Sequence, residues 1–127
     1  MKTHYAVGIA MSAGVAIGSI GMLSLHAQGR QPVYYVSEID VANPEAYAKD
    51  YQPRAAEWIK KSGGRYIAAG KPTSFEGEPA KSRSIILAFD SMEKIQAWRN
   101  SPEFQDVRKL GGQYAKFRAF AIEGTPQ

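Results

Sequence analysis

One pattern occurs twice in this sequence and limits the folds available to it: a basic pair, one further residue, two glycines, another residue and a tyrosine. Its two copies lie within residues 60–66 and 108–114. Paired glycines after basic residues are typical of a helix end, where the cations complement the helix dipole. Because a strand begins near each tyrosine, each copy predicts a helix followed directly by a strand. Two such units constrain the chain to a fold in which helices and strands alternate.

Four segments have the composition of β-strands. Residues 31–41 are rich in β-branched and aromatic residues, and Arg83 to Phe89 is the most apolar run after residue 27, which predicts a central strand. Residues 65–70 and 115–122 follow the two glycine pairs and predict the other two strands. Prolines and glycines within residues 71–82 predict a loop between the second and third strands.

Two helix starts share one signature, a capping residue followed by proline and an acid. They are Asn43-Pro44-Glu45 and Ser101-Pro102-Glu103. After the first, aromatic and apolar side chains recur at helical spacing, but Pro53 interrupts them, which predicts a kink or two abutting helical pieces. The second helical region also divides into two pieces, because Ser101-Pro102 lies in its middle.

The predicted order is strand, helix, strand, strand, helix in two pieces, strand. Two βαβ units with right-handed crossovers predict an α+β fold, the ferredoxin-like split βαβ with an antiparallel four-stranded sheet. The helices of this fold cover one face of the sheet. We expect the other face to be buried against a second copy of the chain, so the sequence predicts a homodimer.

The N-terminal segment differs sharply from the rest of the chain. Residues 5–25 contain no charged residue, Lys2 precedes them, and small residues follow around Ala27. This pattern predicts a signal peptide over residues 1–27, a linker over 28–32, a domain over 33–124 and a tail over 125–127. The expected location is therefore outside the cytoplasm of a bacterium, periplasmic or secreted. The alternative is an uncleaved membrane anchor, because a run of this length reaches the roughly 20 residues that span a bilayer.

Residues that the chain lacks exclude several kinds of chemistry. Cysteine is absent, and His4 and His26, the two histidines, both lie within the predicted signal peptide. An exported domain without either residue type has no thiol nucleophile, histidine base or Ser-His-Asp triad. No phosphate-binding glycine loop or clustered carboxylate motif occurs, so we predict neither a cofactor nor a metal. The net charge of +4 is spread along the chain without a basic block, which disfavours a nucleic-acid partner.

Five residues are the candidates for a ligand pocket. Glu38 and Arg118 lie inside the first and last strands, which are neighbours in the predicted sheet; they are either a structural cross-strand ion pair or a ligand clamp. Tyr47 and Tyr51 lie at helical spacing in the first helical region, and Trp98 lies on the apolar side of the second. These three residues form either an aromatic cavity or an ordinary core.

Several short motifs, taken in order, resemble the family called domain of unknown function 1330, over residues 33–124. These motifs are residues 35–40, 43–47, 63–66 with Gly70, 76–77, 85–89, 97–98, 101–104 and 122–124. The resemblance implies a dimeric α/β barrel, in which two ferredoxin-like sheets pack together, and it implies no established activity. Family members usually carry an arginine soon after the position of Leu110, where this chain has Gly111-Gly112.

Three functional hypotheses remain open at this point. The favoured one is an exported dimer that binds a small molecule or acts without catalysis. The second is a cofactor-independent enzyme that acts on a small organic substrate, and the third is an interaction module tethered to the membrane. Convergent polar groups inside a closed pocket distinguish a ligand site from a packed interior.

Overall fold

Four strands form one antiparallel sheet. The computed structural model describes residues 31–127, and the predicted signal peptide over residues 1–27 lies outside them. The strands are β1 (Val33–Val41), β2 (Arg65–Gly70), β3 (Arg83–Phe89) and β4 (Ala115–Glu123), and they lie in the order β2-β3-β1-β4. This order places β1 and β3 in the middle of the sheet and confirms the predicted ferredoxin-like α+β fold.

Alternation along β1 divides the sheet into two different faces. Val33, Tyr35, Ser37 and Ile39 are buried beneath the helices, because every second side chain of a strand points to the same side. The residues between them point to the opposite face. The register aligns Tyr35 with Leu87 on β3 and aligns Glu38 with Arg118 on β4.

The first helical segment is interrupted, as Pro53 predicted, but it consists of three pieces and not two. They are α1 (Pro44–Ala46), a π-helix (Tyr47–Tyr51) and α2 (Gln52–Lys61). Asn43 caps the segment by accepting a hydrogen bond from the backbone N–H of Ala46 at 3.2 Å. Pro53 lies in the first turn of α2, where its missing N–H is tolerated.

The π-helix aligns two tyrosines. The backbone N–H of Gln52 donates to the carbonyl of Tyr47, five residues back, so this turn is wider than an α-helical turn. In such a turn, residues four apart lie nearly above one another. Tyr47 and Tyr51 are therefore on the same side of the segment, with their ring centroids 5.1 Å apart, and both are buried against the sheet.

The two glycine pairs end their helices in different ways. After α2, Gly63 has a φ of +91°, and the N–H of Gly64 donates to the carbonyl of Ile59 at 2.9 Å, which is a left-handed helix end. The second pair needs no left-handed residue: Gly112 has a φ of −62°. Gly111 instead allows a close approach, because a Cβ at this position would overlap the ring of Tyr51.

The remaining helices are α3 (Met92–Asn100) and α4 (Pro102–Gly111). Ser101 joins them, since its hydroxyl accepts from the N–H of Phe104 at 3.1 Å and donates to the carbonyl of Trp98 at 2.7 Å. The indole N–H of Trp58 on α2 also donates to this hydroxyl, at 3.2 Å. One serine thus fixes the positions of three helices. Among residues 31–127, no helix is long and apolar enough to cross a membrane.

The face of the sheet that carries no helices is open and partly apolar. We call it the open face; it includes Val36, Ile86, Phe120 and Ile122, with the Glu38–Arg118 pair beside them. Phe120 is 46% exposed and Ile122 is 57% exposed. Side chains of this size are usually covered when they lie together on a sheet.

Candidate functional site

The five candidate residues divide between the two faces of the sheet. Glu38 and Arg118 meet on the open face, where a guanidinium nitrogen of Arg118 lies 2.8 Å from a carboxylate oxygen of Glu38. Tyr47, Tyr51 and Trp98 lie on the other side, between the sheet and the helices, and all three line one cavity. The structure therefore brings the three aromatic candidates together and places the ion pair elsewhere.

The cavity is small and enclosed. Its volume is about 30 Å³, which is room for about two water-sized groups. The sheet supplies its floor through Tyr35, Ser37 and Ile85, and the helices supply its roof. Aromatic rings form much of its wall: Trp98 lies 5.0 Å from Tyr35 and 4.8 Å from Phe104, measured between ring centroids.

Four residues that line the cavity each carry a buried polar atom without a hydrogen-bond partner among the described residues. Ser37 is 1% exposed, and its hydroxyl has no hydrogen-bond partner among the described residues. The Nε atoms of Arg83 and Arg108 and the indole nitrogen of Trp98 are also buried without partners. A buried polar group left unpaired costs about 1–3 kcal/mol, and such groups in a native fold call for an explanation.

The two arginines enter the cavity from different elements. Arg83 is the first residue of β3 and lies on the same side of that strand as Ile85 and Leu87, beneath the helices. Arg108 lies in the last turn of α4, and its guanidinium carbon sits 3.8 Å from the ring centroid of Phe117 and 4.9 Å from that of Phe104. Contact with two aromatic faces holds this cation in place.

We predicted only a dipole-complementing role for the basic pair that contains Arg108. The structure keeps that pair in the last turn of its helix, but it also places the Arg108 side chain in the cavity wall. Ser37, Arg83 and Arg108 were not among the candidates. The period-two pattern of each strand does contain the signal for both: Ser37 lies two residues from the buried Tyr35 and Ile39, and Arg83 lies four residues before the buried Leu87.

The hydroxyls of Tyr47 and Tyr51 keep their protons at neutral pH. Burial raises the pKa of Tyr47 to about 12, the neighbouring Tyr51 adds to that rise, and Arg83 partly opposes it. Burial also raises the pKa of Tyr51, against the lowering effect of Arg108. Arg83 thus lies beside Tyr47, and Arg108 lies beside Tyr51. Two Tyr–Arg pairs therefore face the same small space.

A groove on the surface borders the cavity. It lies between the start of the first helical segment and the end of the 71–82 loop, has a volume of about 330 Å³, and is more open than the cavity. Tyr47, Gln52 and Arg83 line both spaces. Ser82 fixes the end of the loop, because its hydroxyl accepts from the N–H of Val41 at 2.9 Å and donates to the carbonyl of Ile39 at 3.2 Å. The groove and the cavity are therefore adjacent spaces that share part of their walls.

No metal-binding cluster of histidine, cysteine or carboxylate residues occurs in the described part of the chain. The walls of the cavity and the groove, as far as residues 31–127 form them, contain no aspartate or glutamate. The chemistry of the site is therefore that of hydrogen-bond donors and aromatic rings.

An antiparallel sheet in the order β2-β3-β1-β4, with helices on one face, defines the class of this protein as ferredoxin-like α+β. The family model described as domain of unknown function (DUF1330) matches residues 32–125. The chain belongs to this family. None of the curated proteins compared with the chain matches it.

Solved structures share the fold at low sequence identity. A protein of unknown function from Rhodopseudomonas palustris is 16% identical, with a TM-score of 0.62 over 76% of this chain and 85% of its own. A conserved protein of unknown function from Bacteroides thetaiotaomicron, described as a possible oxidoreductase, is 12% identical, with a TM-score of 0.54 over 74% and 98%. SnoaB, a cofactor-independent oxygenase from Streptomyces nogalater, is 11% identical, with a TM-score of 0.55 over 76% and 96%. At these identities the likeness extends to the fold alone.

Proposed function

We propose that this protein binds a small molecule in the cavity between its helices and its sheet. The observation that carries the proposal is the set of buried polar atoms without partners, above all the hydroxyl of Ser37, in a cavity whose walls are otherwise mostly aromatic and apolar. A ligand with matching polar groups removes the cost of burying them. An ordinary core, packed for stability alone, gains nothing from Ser37 at this position.

Binding without turnover fits the cavity better than proton-transfer catalysis does. A general base must be unprotonated at working pH, and the cavity walls within residues 31–127 supply no carboxylate, histidine or lysine. Tyr47 and Tyr51 are no substitute, because burial raises the pKa of each. The oxygenase from Streptomyces nogalater shows that the fold is compatible with cofactor-independent chemistry, so turnover of a bound compound is the result that would replace this proposal.

We place the functional unit in a homodimer formed through the open face. Phe120 and Ile122 are half-exposed on this face, and burial of apolar surface is the main drive for association. Covering the face would also shield the Glu38–Arg118 pair, in which the arginine side chain is 76% exposed. An ion pair with that exposure contributes about 0–1 kcal/mol to the fold of one chain.

Export is part of the same proposal. It rests on the uncharged residues 5–25 and on Lys2, which lie outside the described residues. The intact mass of protein from the host envelope tests it: a chain that begins near Gln28 supports removal of residues 1–27, and a full-length species that requires detergent contradicts it.

The binding proposal is tested by a thermal-shift screen of small organic compounds on the wild type and on Ser37→Ala. Without a ligand, we expect the variant to melt at or above the temperature of the wild type, because it removes a buried hydroxyl that has no partner. With a ligand that uses this hydroxyl, the variant loses part of the stabilisation that binding confers.

Ser84→Ala is the matched control. Ser84 lies on the neighbouring strand but points to the open face, opposite Glu38, so the same substitution there leaves the cavity unchanged. The screen contradicts the proposal if no compound stabilises the wild type, or if compounds stabilise the wild type and Ser37→Ala equally while a cavity-filling Ser37→Leu variant, folded by circular dichroism, also binds them.

A further inference from the structure

The charges that line the groove and the cavity have one sign. Lys71 lines the groove, Arg83 lines the junction of groove and cavity, and Arg108 lines the cavity. No carboxylate of the described residues lines either space. The carboxylate of Asp50, on the π-helix, accepts from the hydroxyl of Tyr114 at an exposed position and is not part of either wall.

Neither cavity arginine forms an ion pair with an acidic residue within residues 31–127. Arg83 lies beside Tyr47, and Arg108 lies beside Tyr51 and against the rings of Phe104 and Phe117. Both arginines are partly buried, and a cation that loses part of its water without gaining a counter-ion is destabilised. Two such cations beside one small cavity therefore favour an occupant that carries negative charge.

The hydrogen-bonding groups of the cavity point to the same conclusion. Arginine and the indole of Trp98 can only donate. The hydroxyls of Ser37, Tyr47 and Tyr51 and the amide of Gln52 donate as well as accept, so donors outnumber acceptors in the cavity wall. A site with many donors is matched by a ligand group with many acceptors, and a carboxylate, with two oxygens and about four acceptor positions, is the compact group of that kind.

The two spaces differ in size in the way that a carboxylate head group and the organic body of such a ligand differ. The cavity, at about 30 Å³, holds about two water-sized groups, which matches the two oxygens of a carboxylate. The groove, at about 330 Å³, offers room for an organic body beside Val41, Pro44 and Ala48. Arg83 borders both spaces and so lies where head and body meet.

We propose that the ligand of this site is an organic monocarboxylate, with its carboxylate in the cavity between Arg83 and Arg108 and its apolar body in the groove. This inference rests on the proposed small-molecule site and specifies the chemical class of the occupant. Charge-assisted hydrogen bonds to arginine then supply specificity, and the apolar wall of the groove accepts a ring-sized body.

The experiment compares benzoate with benzamide, which has the same shape without the charge, by isothermal titration on the chain that contains residues 1–127. We expect benzoate to bind and benzamide to bind at least about tenfold more weakly, since the difference is the charge-assisted part of the interaction. Arg83→Met and Arg108→Met should each weaken benzoate binding by about tenfold or more. Arg54→Met, an exposed arginine outside both spaces, is the matched control and should leave it unchanged.

Chemical-shift mapping on the wild type keeps the test decisive if an arginine variant fails to fold. Benzoate should shift the amide signals of Ser37, Gln52 and Arg83, and signals on the open face should stay in place. Equal binding of benzoate and benzamide at these residues overturns the monocarboxylate but leaves the small-molecule site. Benzoate shifts confined to other surfaces also overturn it, whereas failure of the whole compound screen overturns the site itself.

Discussion

Tyr47 shows how one residue can connect the cavity, the groove and the stability of the fold. Its hydroxyl lies beside Arg83 at the junction of the two spaces, and its ring packs against Tyr51. Burial disfavours the ionised form of this hydroxyl and therefore raises its pKa. The site therefore has a measurable signature in the pH dependence of unfolding, independent of any ligand.

We predict that Tyr47→Phe flattens the loss of stability at alkaline pH. The pKa of Tyr47 is about 12 in the folded protein and about 10 in an unfolded chain. Below about pH 10 both states hold the proton, and the contribution to stability is complete. Between about pH 10 and about pH 12 the unfolded state releases the proton first, so the free energy of unfolding falls. Phenylalanine has no such proton.

Urea unfolding followed by circular dichroism from about pH 8 to about pH 12 measures this difference. The free energy of unfolding of the variant should still fall somewhat with rising pH, because burial also raises the pKa of Tyr51 and Tyr66. At neutral pH the variant should lose only the polar contact of the hydroxyl with Arg83, about 1 kcal/mol or less. Parallel stability curves for the two proteins across the alkaline range would contradict a buried Tyr47 hydroxyl.

Individual residues of the cavity could be predicted from the sequence only where helical or strand periodicity indicated them. Tyr47, Tyr51 and Trp98 follow helical spacing, so an aromatic cavity or core was visible in advance. Ser37 and Arg83 sit within strands whose alternation places them inside, but polar residues on a strand are commonly at the surface, and only the register of β1 against β3 shows them sharing one space with the helices. Arg108 required the tertiary contact with Phe117, which no local pattern contains.

At the level of elements, the wide π-helical turn and Gly111 act together. The turn directs Tyr51 toward α4, and Gly111 leaves the space into which the Tyr51 ring fits. The sequence predicted that α4 would end at the paired glycines, and it does. It did not predict the reason, because φ at Gly112 is ordinary and the need for glycine comes from a ring that is distant in the chain. The sequence indicated an interruption at Pro53. It did not indicate the π-helical turn before it, which depends on burial of Tyr47 and Tyr51.

We predict that Gly111→Ala destabilises the protein by about 1–3 kcal/mol, since the added methyl group overlaps the ring of Tyr51 in a closely packed interior. Gly112→Ala is the control: a Cβ there meets its nearest atom, the carbonyl oxygen of Arg108, at an ordinary 3.4 Å. Chemical denaturation measures both. Combining Gly111→Ala with Tyr51→Leu should recover part of the loss, because the clash is removed. Equal stability of the two single variants would show that Tyr51 does not occupy this space.

At the level of the whole molecule, the sheet has one face covered by helices and one face open. Strand order, helix placement and the bounds of most elements were predictable, because caps, prolines and glycines mark them locally. Assembly was predictable only as an expectation, since it depends on whether the apolar residues of three strands lie together. The structure places Val36 directly beside Ile86 and Phe120 in register, which gives a continuous apolar centre to the open face.

The last prediction concerns Phe120, which is 46% exposed in a single chain. If the open face is the dimer interface, Phe120→Glu places an unpaired charge in it and weakens association by about 3 kcal/mol or more, roughly a hundredfold in Kd. Light scattering should then change from the mass of two chains to that of one. The fold of each chain should persist, because the side chain is not part of the core beneath the helices. Gln105→Glu, which adds the same charge at an exposed position on α4, is the control and should remain dimeric. A wild type with the mass of one chain, or a Phe120→Glu variant that still has the mass of two, would require another surface to carry assembly.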